Sequence, residues 1–328
     1  MPIVDYTWST TRYGFENKVF SYRVIVTEPV DPLLLDGLKK LGLNVHVRNG
    51  VDRETLLREI GDYEIIVVRS KTKVDKELLE KAARLKIIVR AGSGLDNIDV
   101  EEAVKRGLKV INAPEASVQS VAELTIALMI AAARRVYEAC SRVKSGEWKK
   151  LMGVELYGKT LGVIGFGRIG SRVGRLARCI GMKVIAYDVR DIRDKAREVG
   201  AEVVDELDEL LARSDVITIH VPLKSDTYHM ISYREFRLMK NGVILVNASR
   251  GKVVDTKALL EAIEEGIVAA AALDVLENEP PKEEWEFKLI KHPRVIVTPH
   301  IGAQTIEAQR RVAEVILEKL KNALMMEP

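Results

Sequence analysis

Four polar residues in the second half of the sequence have the types and positions to do chemistry. Arg250 follows the apolar run of "VILVNASRGKVVD", Asp274 and Glu279 follow that of "AAALDVLENEP", and His300 closes "VIVTPH" before "IGAQT". An imidazole titrates near neutrality, so His300 can take or return a proton under ordinary conditions. A carboxylate beside it would fix the tautomer and raise the pKa, and Glu279 is the candidate. Arg250 offers a planar fork that fits a carboxylate better than lysine does. The set suits removal of a hydroxyl proton next to an anion that the guanidinium holds. Each residue also has a plainer use. Arg250 can be a turn residue bonded to backbone carbonyls, and Glu279 solvated charge in the acidic run "ENEPPKEEWE". His300 can be a cap, and Asp274 an ordinary strand-end acid. Their joint order says more than any one of them.

Hydropathy shows what must position them. From Tyr22 onward, short Val/Ile-rich runs alternate with helical patterns: "RVIVTEP", "DPLLLDGLKKLG", "LNVHVR", "DRETLLREIG", "YEIIVVRS", "DKELLEKAA", "KIIVRAGSG", "IDVEEAVKRG" and "KVINAP". Asp31 is a helix cap and Pro32 a first-turn proline. Continuous apolar strands alternating with helices imply parallel pairing with both sheet faces covered. The first α/β unit is expected to end near Pro114. One long helix is expected over "SVQSVAELTIALMIAAARRVYEACSRVKSG", capped by Ser117 or Ser120 and buried between domains or subunits. A second α/β series runs from "TLGVIGFGRIG" to "RVIVTPH", and "TIEAQRRVAEVILEKLKNAL" is expected to pack back on the first domain. Residues 1–20 are dense in aromatics, fit neither series, and are expected to be a surface extension.

The second series opens on a G-x-G-x-x-G array, Gly165, Gly167 and Gly170, set between a strand and an amphipathic helix. The first glycine permits a tight turn, the second lets backbone approach a pyrophosphate, and the third lets the helix pack on its strand. Asp188 ends the next strand, 23 residues after Gly165. A carboxylate there accepts from ribose hydroxyls and repels an extra phosphate, which points to NAD rather than NADP. Arg190 is a mild counter-signal. In an open parallel sheet the carboxyl ends of the strands converge on the ligand crevice, so Arg250, Asp274, Glu279 and His300 face the same edge as the glycine turn. With a nicotinamide to accept hydride, the expected reaction is oxidation of a secondary alcohol beside a carboxylate.

Composition is consistent with this. A chain of 328 residues, 47% hydrophobic and 30% charged, suits two globular domains. The net charge of +3 balances 51 basic against 48 acidic residues with no basic block, which argues against a nucleic-acid partner. No apolar run reaches the ~18 residues of a membrane helix and no signal-peptide core opens the chain, so a cytoplasmic location without membrane partner is expected. Cys140 and Cys179 fit neither a disulfide framework nor a metal motif; they are expected to be small buried hydrophobes, and no metal site is expected. Only three glutamines, Gln119, Gln304 and Gln309, suggest a heat-adapted source.

With "GVIGFGRIGSRV", "NASRGKVVD", "ALDVLENEP" and "TPHIGA" in this order, the chain resembles the D-isomer-specific 2-hydroxyacid dehydrogenases from about Tyr22 to about Leu324. The resemblance implies an α/β fold of two doubly wound parallel-sheet domains. A Rossmann NAD domain (115–304) would be inserted into a flavodoxin-like substrate-binding domain (21–114 and 305–328), with closure between them and a homodimer or homotetramer built largely through the NAD domains. It implies Arg250, Glu279 and His300 as the catalytic set. It places Arg168 and Ile169 at the pyrophosphate, Asp188 at the adenosine ribose, and Val221 and Pro222 near the adenine. Ala248, Ser249 and Asp274 would lie near the nicotinamide, with His300, Gly302 and Ala303 closing that end.

Two further stretches, "VVRSKTKVD" and "VRAGSGLDNID", look like the phosphoglycerate dehydrogenase branch of the family. Arg69 and Arg90 would take a substrate phosphate, and Gly92 and Ser93 would lie near the substrate carboxylate, Ser93 also beside the cofactor. Interdomain salt bridges are the plainer use of the two arginines. The implied reaction is oxidation of D-3-phosphoglycerate to 3-phosphohydroxypyruvate with NAD, the entry step of serine synthesis. The alternatives are a glyoxylate or hydroxypyruvate reductase or another D-2-hydroxyacid dehydrogenase, or an NAD-sensing binding protein like the corepressors that share this fold. Many phosphoglycerate dehydrogenases add a C-terminal serine-sensing domain. This sequence ends straight after its last helix, so a short form without such feedback is expected.

Overall fold

The structure, a computed structural model, describes residues 22–325, and the extension expected at 1–20 lies outside them. The described residues fall into two compact units, one up to Asn112 and again from Ala313, the other Ala113–Val312.

In the first unit the order is β1 (Arg23–Val26), α1 (Pro32–Lys40), β2 (Asn44–Val47), α2 (Arg53–Glu59), β3 (Ile65–Val68), α3 (Lys76–Lys81), β4 (Ile87–Arg90), α4 (Val100–Lys105) and β5 (Lys109–Ile111). The strands pair in parallel as β2-β1-β3-β4-β5, the flavodoxin-like order. Asp31, Asp52, Asp75 and Asp99 each accept a backbone N–H at the start of the helix that follows, which sets where α1 to α4 begin. Strand β3 is buried throughout and β4 nearly so, as continuous Ile/Val runs require.

The second unit holds α5 (Val118–Ala133), α6 (Val136–Lys144), β6 (Thr160–Ile164), α7 (Arg168–Cys179), β7 (Lys183–Tyr187), α8 (Arg193–Val199), β8 (Glu202–Val203), α9 (Leu207–Arg213), β9 (Val216–Ile219), α10 (Tyr233–Leu238), β10 (Val243–Asn247), α11 (Thr256–Glu264), β11 (Val268–Leu273), α12 (Glu284–Lys291) and β12 (Val295–Val297). Its parallel sheet has the order β12-β11-β10-β9-β6-β7-β8. The order reverses between β9 and β6, a switch point where ligands collect at the carboxyl ends of strands. The last helix, α13 (Ile306–Met325), joins the first unit from Ala313. There Leu317 packs against Gly37, and Lys319 Nζ donates to the Asn112 carbonyl at 2.9 Å.

Three expectations need correction. The single helix expected after Pro114 is two, broken at Arg135, whose φ of +52° is left-handed. The break turns the end of α5 so that the Ala133 carbonyl accepts the Val154 N–H at 2.9 Å, while Glu138 is buried between Arg135 and Arg142. Helix α5 packs against α7, β10 and β11 of its own unit. Ser117 stands at its N-cap position without a capping side-chain bond. Cys140 and Cys179 are exposed rather than buried, because each lies on the solvent side of its helix. No helix of the described residues is long and apolar enough to cross a membrane.

Candidate active site

Strand β6 runs into Gly165, whose φ of +85° suits glycine alone among ordinary residues. A Cβ there would come within 2.6 Å of the His220 carbonyl oxygen, and one on Gly170 within 2.0 Å of the Gly165 oxygen, so the turn is tight and α7 starts hard against its strand. Gly167 differs. A Cβ on it would meet only Arg190 Nη2, at 3.4 Å, leaving room just before Arg168 and Ile169 at the N-terminus of α7.

Asp188, after β7, accepts from the Phe166 N–H at 2.9 Å and from Arg190 through Nε at 3.0 Å and Nη2 at 2.9 Å. Burial disfavours its charge, yet Arg190 and these N–H groups hold the carboxyl below the usual carboxylate range. Beside the turn, burial pushes the His220 imidazole down to about 3, so it is neutral near pH 7. Val221 and Pro222 follow, with the Pro222 carbonyl tied to Thr227 Oγ1 at 2.7 Å.

Three neighbouring strands deliver the other candidates. After β10, buried Asn247 accepts from the Ser249 N–H at 3.0 Å and its hydroxyl at 2.8 Å, and donates to the Arg250 carbonyl at 2.9 Å. This asparagine shapes the turn through Ala248 that presents Arg250, and sequence reasoning passed over it as part of a strand. After β11, Asp274 is 1% exposed. Its Oδ1 accepts from Thr298 Oγ1 at 2.5 Å and the Ile301 N–H at 2.8 Å, and its Oδ2 accepts from the Gly302 N–H at 2.8 Å. The Asp274 carbonyl takes the His300 N–H at 2.8 Å. Asp274 therefore holds the loop that carries His300, and Ser120 Oγ and Gln309 Nε2 fasten its far side through the Gly302 and Ala303 carbonyls.

The loop holds His300 at φ +54°, a conformation that non-glycine residues seldom adopt without outside support. Its Nδ1 lies 2.8 Å from Glu279 Oε2, and Glu279 Oε1 accepts from the Leu276 N–H at 3.2 Å. The bond to Glu279 raises the His300 pKa above its ordinary value; burial and the charge of Arg250 work the other way without cancelling it. The acidic run around Glu279 is not simply solvated charge. Glu286 within it is fully buried and accepts from the N–H groups of Asn278, Lys282 and Glu283, which ties down the segment bearing Glu279.

The remaining candidates lie in the first unit, at the carboxyl edge of its own sheet. Arg90 ends β4, paired in register with Val68, and Arg69 is the next residue after Val68. A Cβ on Gly92, at φ +152°, would stand 1.5 Å from Arg90 Nη1, so that glycine makes room for the guanidinium. The Ser93 carbonyl accepts from Asn112 Nδ2 at 2.7 Å.

Residues 126–302 match the family model for the D-isomer specific 2-hydroxyacid dehydrogenase, NAD binding domain. The chain is 50% identical over 302 residues to a D-3-phosphoglycerate dehydrogenase of Archaeoglobus fulgidus, covering 92% of this chain and 57% of that protein. It is 46% identical over 302 residues to a hydroxypyruvate reductase of Thermotoga maritima, covering 91% and 97%. The chain belongs to the D-isomer-specific 2-hydroxyacid dehydrogenase family. A solved family structure, the D-lactate dehydrogenase of Aquifex aeolicus complexed with NAD and lactic acid, matches at TM-score 0.82 and 35% identity over 92% of this chain and 95% of that one. The chain spans little more than half the length of the A. fulgidus relative.

The family's cofactor is NAD, and the second unit fits it. The space at Gly167 opens on the start of α7, and the carboxylate of Asp188 ends the next strand, where a second phosphate would be repelled. Because Glu279 raises the His300 pKa, Glu279→Gln should make that imidazole titrate at lower pH than in the parent chain, read by NMR of the histidine ring protons. An unmoved titration would remove Glu279 as the cause.

Proposed function

We propose that the chain oxidises D-3-phosphoglycerate to 3-phosphohydroxypyruvate with NAD. The His300–Glu279 bond of 2.8 Å inside the family's NAD-binding domain supports the oxidoreduction, and the 50% identity to the A. fulgidus D-3-phosphoglycerate dehydrogenase supports the substrate. Bound NAD supplies the hydride acceptor. His300 takes the substrate hydroxyl proton, and Glu279 stabilises the imidazolium that results. Arg250 pairs with the substrate carboxylate, with Gly92 and Ser93 placed near it. Arg69 and Arg90 take the phosphate. Around the cofactor we assign Gly165, Gly167, Arg168, Ile169, Gly170, Asp188, Val221, Pro222, Ala248, Ser249, Asp274, Gly302 and Ala303, with Ser93 from the first unit.

The likeness to the Thermotoga maritima protein over nearly its whole length favours a second reading, reduction of hydroxypyruvate. Arg69→Ala separates the two. Loss of a charge-assisted contact should raise the KM for 3-phosphohydroxypyruvate by about 10-fold or more and leave that for hydroxypyruvate nearly unchanged. Equal KM values before and after the change would end the phosphate assignment and leave the second reading.

We also propose a cytoplasmic homodimer formed through the second unit. Tyr137, Trp148, Met152 and Tyr157 leave a run of large apolar side chains exposed there, as a subunit interface would. Arginine-centred ion pairs, Arg53 with Asp75 and Glu77 and Arg213 with Glu202 and Glu209, support a heat-adapted source.

A further inference from the structure

We propose that Glu28 is a positioning residue that fixes Arg69 for a phosphorylated substrate, an inference that rests on the phosphate role given to Arg69 above. Strand β1 delivers Glu28, 7% exposed, to the carboxyl edge of the first sheet beside the loop that follows β3. Its Oε1 accepts from the N–H groups of Arg69 at 2.9 Å, Lys71 at 3.2 Å and Thr72 at 3.0 Å. Its Oε2 accepts from those of Ser70 at 3.2 Å and Lys71 at 3.1 Å. Four consecutive backbone N–H groups thus converge on one carboxylate, in the manner of a nest built for an anion.

The next residue takes the other end of the arginine, since the Pro29 carbonyl accepts from Arg69 Nη1 at 3.1 Å. One dipeptide therefore sets both the backbone and the guanidinium of Arg69. Thr27 Oγ1, 2.8 Å from Thr72 Oγ1, and Asn97 Nδ2, donating to the carbonyls of Arg69 and Thr72, close the loop around the same point.

Only a carboxylate meets four donors without a clash. Burial opposes its charge, but the N–H groups of Thr72, Lys71 and Arg69 hold the Glu28 carboxyl below its ordinary range, so it stays ionised at neutral pH. Glutamine has the same shape but turns an NH2 group toward N–H donors. The loop must then open, and Arg69 loses its fixed origin.

The test compares E28Q, R69A and the double variant with the parent chain, reducing either 3-phosphohydroxypyruvate or hydroxypyruvate with NADH. E28Q should raise the KM for the phosphorylated substrate by about 10-fold, with kcat, the KM for NADH and the KM for hydroxypyruvate within about two-fold of the parent. The double variant should be no worse than R69A, because Glu28 acts through Arg69. The inference is overturned if E28Q leaves the phosphorylated KM unmoved while R69A raises it, if E28Q raises all three KM values together, or if the two changes add in full. If R69A itself is without effect, the phosphate reading falls and this inference falls with it. Should E28Q fail to fold, E28D, which keeps the charge but shortens the reach, is expected to give the same selective rise at smaller size, and a rise shared by both substrates would overturn the inference in the same way.

Discussion

His300→Ala should lower turnover by about 100-fold or more, at or above the usual loss when a general acid/base is removed. The imidazole is the only proton-transfer group that the loop after β12 presents, and its backbone is fastened on both sides by Asp274 and Ser120. Removing the ring leaves that scaffold intact, so NADH binding measured by fluorescence should stay within about two-fold of the parent. His300→Asn controls for backbone conformation. Asparagine tolerates a positive φ better than alanine does, yet cannot carry the proton. The two variants should lose activity to the same extent. A loss below about 10-fold in both would mean that water or another group moves the proton.

The remaining activity should also lose a pH dependence. With His300 as the proposed acid/base, oxidation by the parent chain would require the neutral imidazole, and its rate should rise as pH passes through a His300 pKa held above the ordinary value. Reduction would require the protonated ring and should fall over the same interval. With His300 gone, both limbs should flatten.

Much of this site was legible in the sequence because its signals are local. Gly165, Gly167, Gly170 and Asp188 announce themselves through a strand–turn–helix that spans a couple of dozen residues. Asp31 and Pro32 mark a helix start that α1 obeys. What stayed hidden depends on partners far apart in the chain. Glu28 reads as one acid before a proline, and its meaning comes from N–H groups 41 to 44 residues on. Glu286 reads as one more charge in an acidic run, although the fold buries it completely. Asn247 looks like the polar end of a strand until the turn closes on it. The break at Arg135 lacks the glycine or proline that would flag it, because distant Gly153 and Val154 create the demand for it.

Gly251→Ala should be nearly as damaging to activity as loss of His300, although Gly251 itself offers no chemical group. A Cβ on Gly251 would stand 1.9 Å from the Leu276 carbonyl oxygen, 2.0 Å from its carbon and 2.6 Å from the Glu277 nitrogen. These are backbone atoms and cannot rotate away. The loop after β10 and the loop after β11 must therefore separate, and they carry Arg250 and Glu279 respectively. Leu276 also donates its N–H to Glu279 Oε1, so displacing it disturbs the carboxylate that supports His300. Overpacking of this kind costs about 1–3 kcal/mol, enough to lower the Tm of a unit this size by about 5 °C. Misplacing reacting groups by about 1 Å can cost on the order of 100-fold in rate. We therefore expect kcat/KM to fall by about 100-fold, far more than the stability change explains, since most molecules stay folded at 25 °C. Partial loss of His300 support should also move the acidic limb of the oxidation profile to lower pH, in the direction of Glu279→Gln. An alanine variant with parental kinetics and Tm would show that the two loops accommodate a methyl group between them and do not fix Arg250 against Glu279.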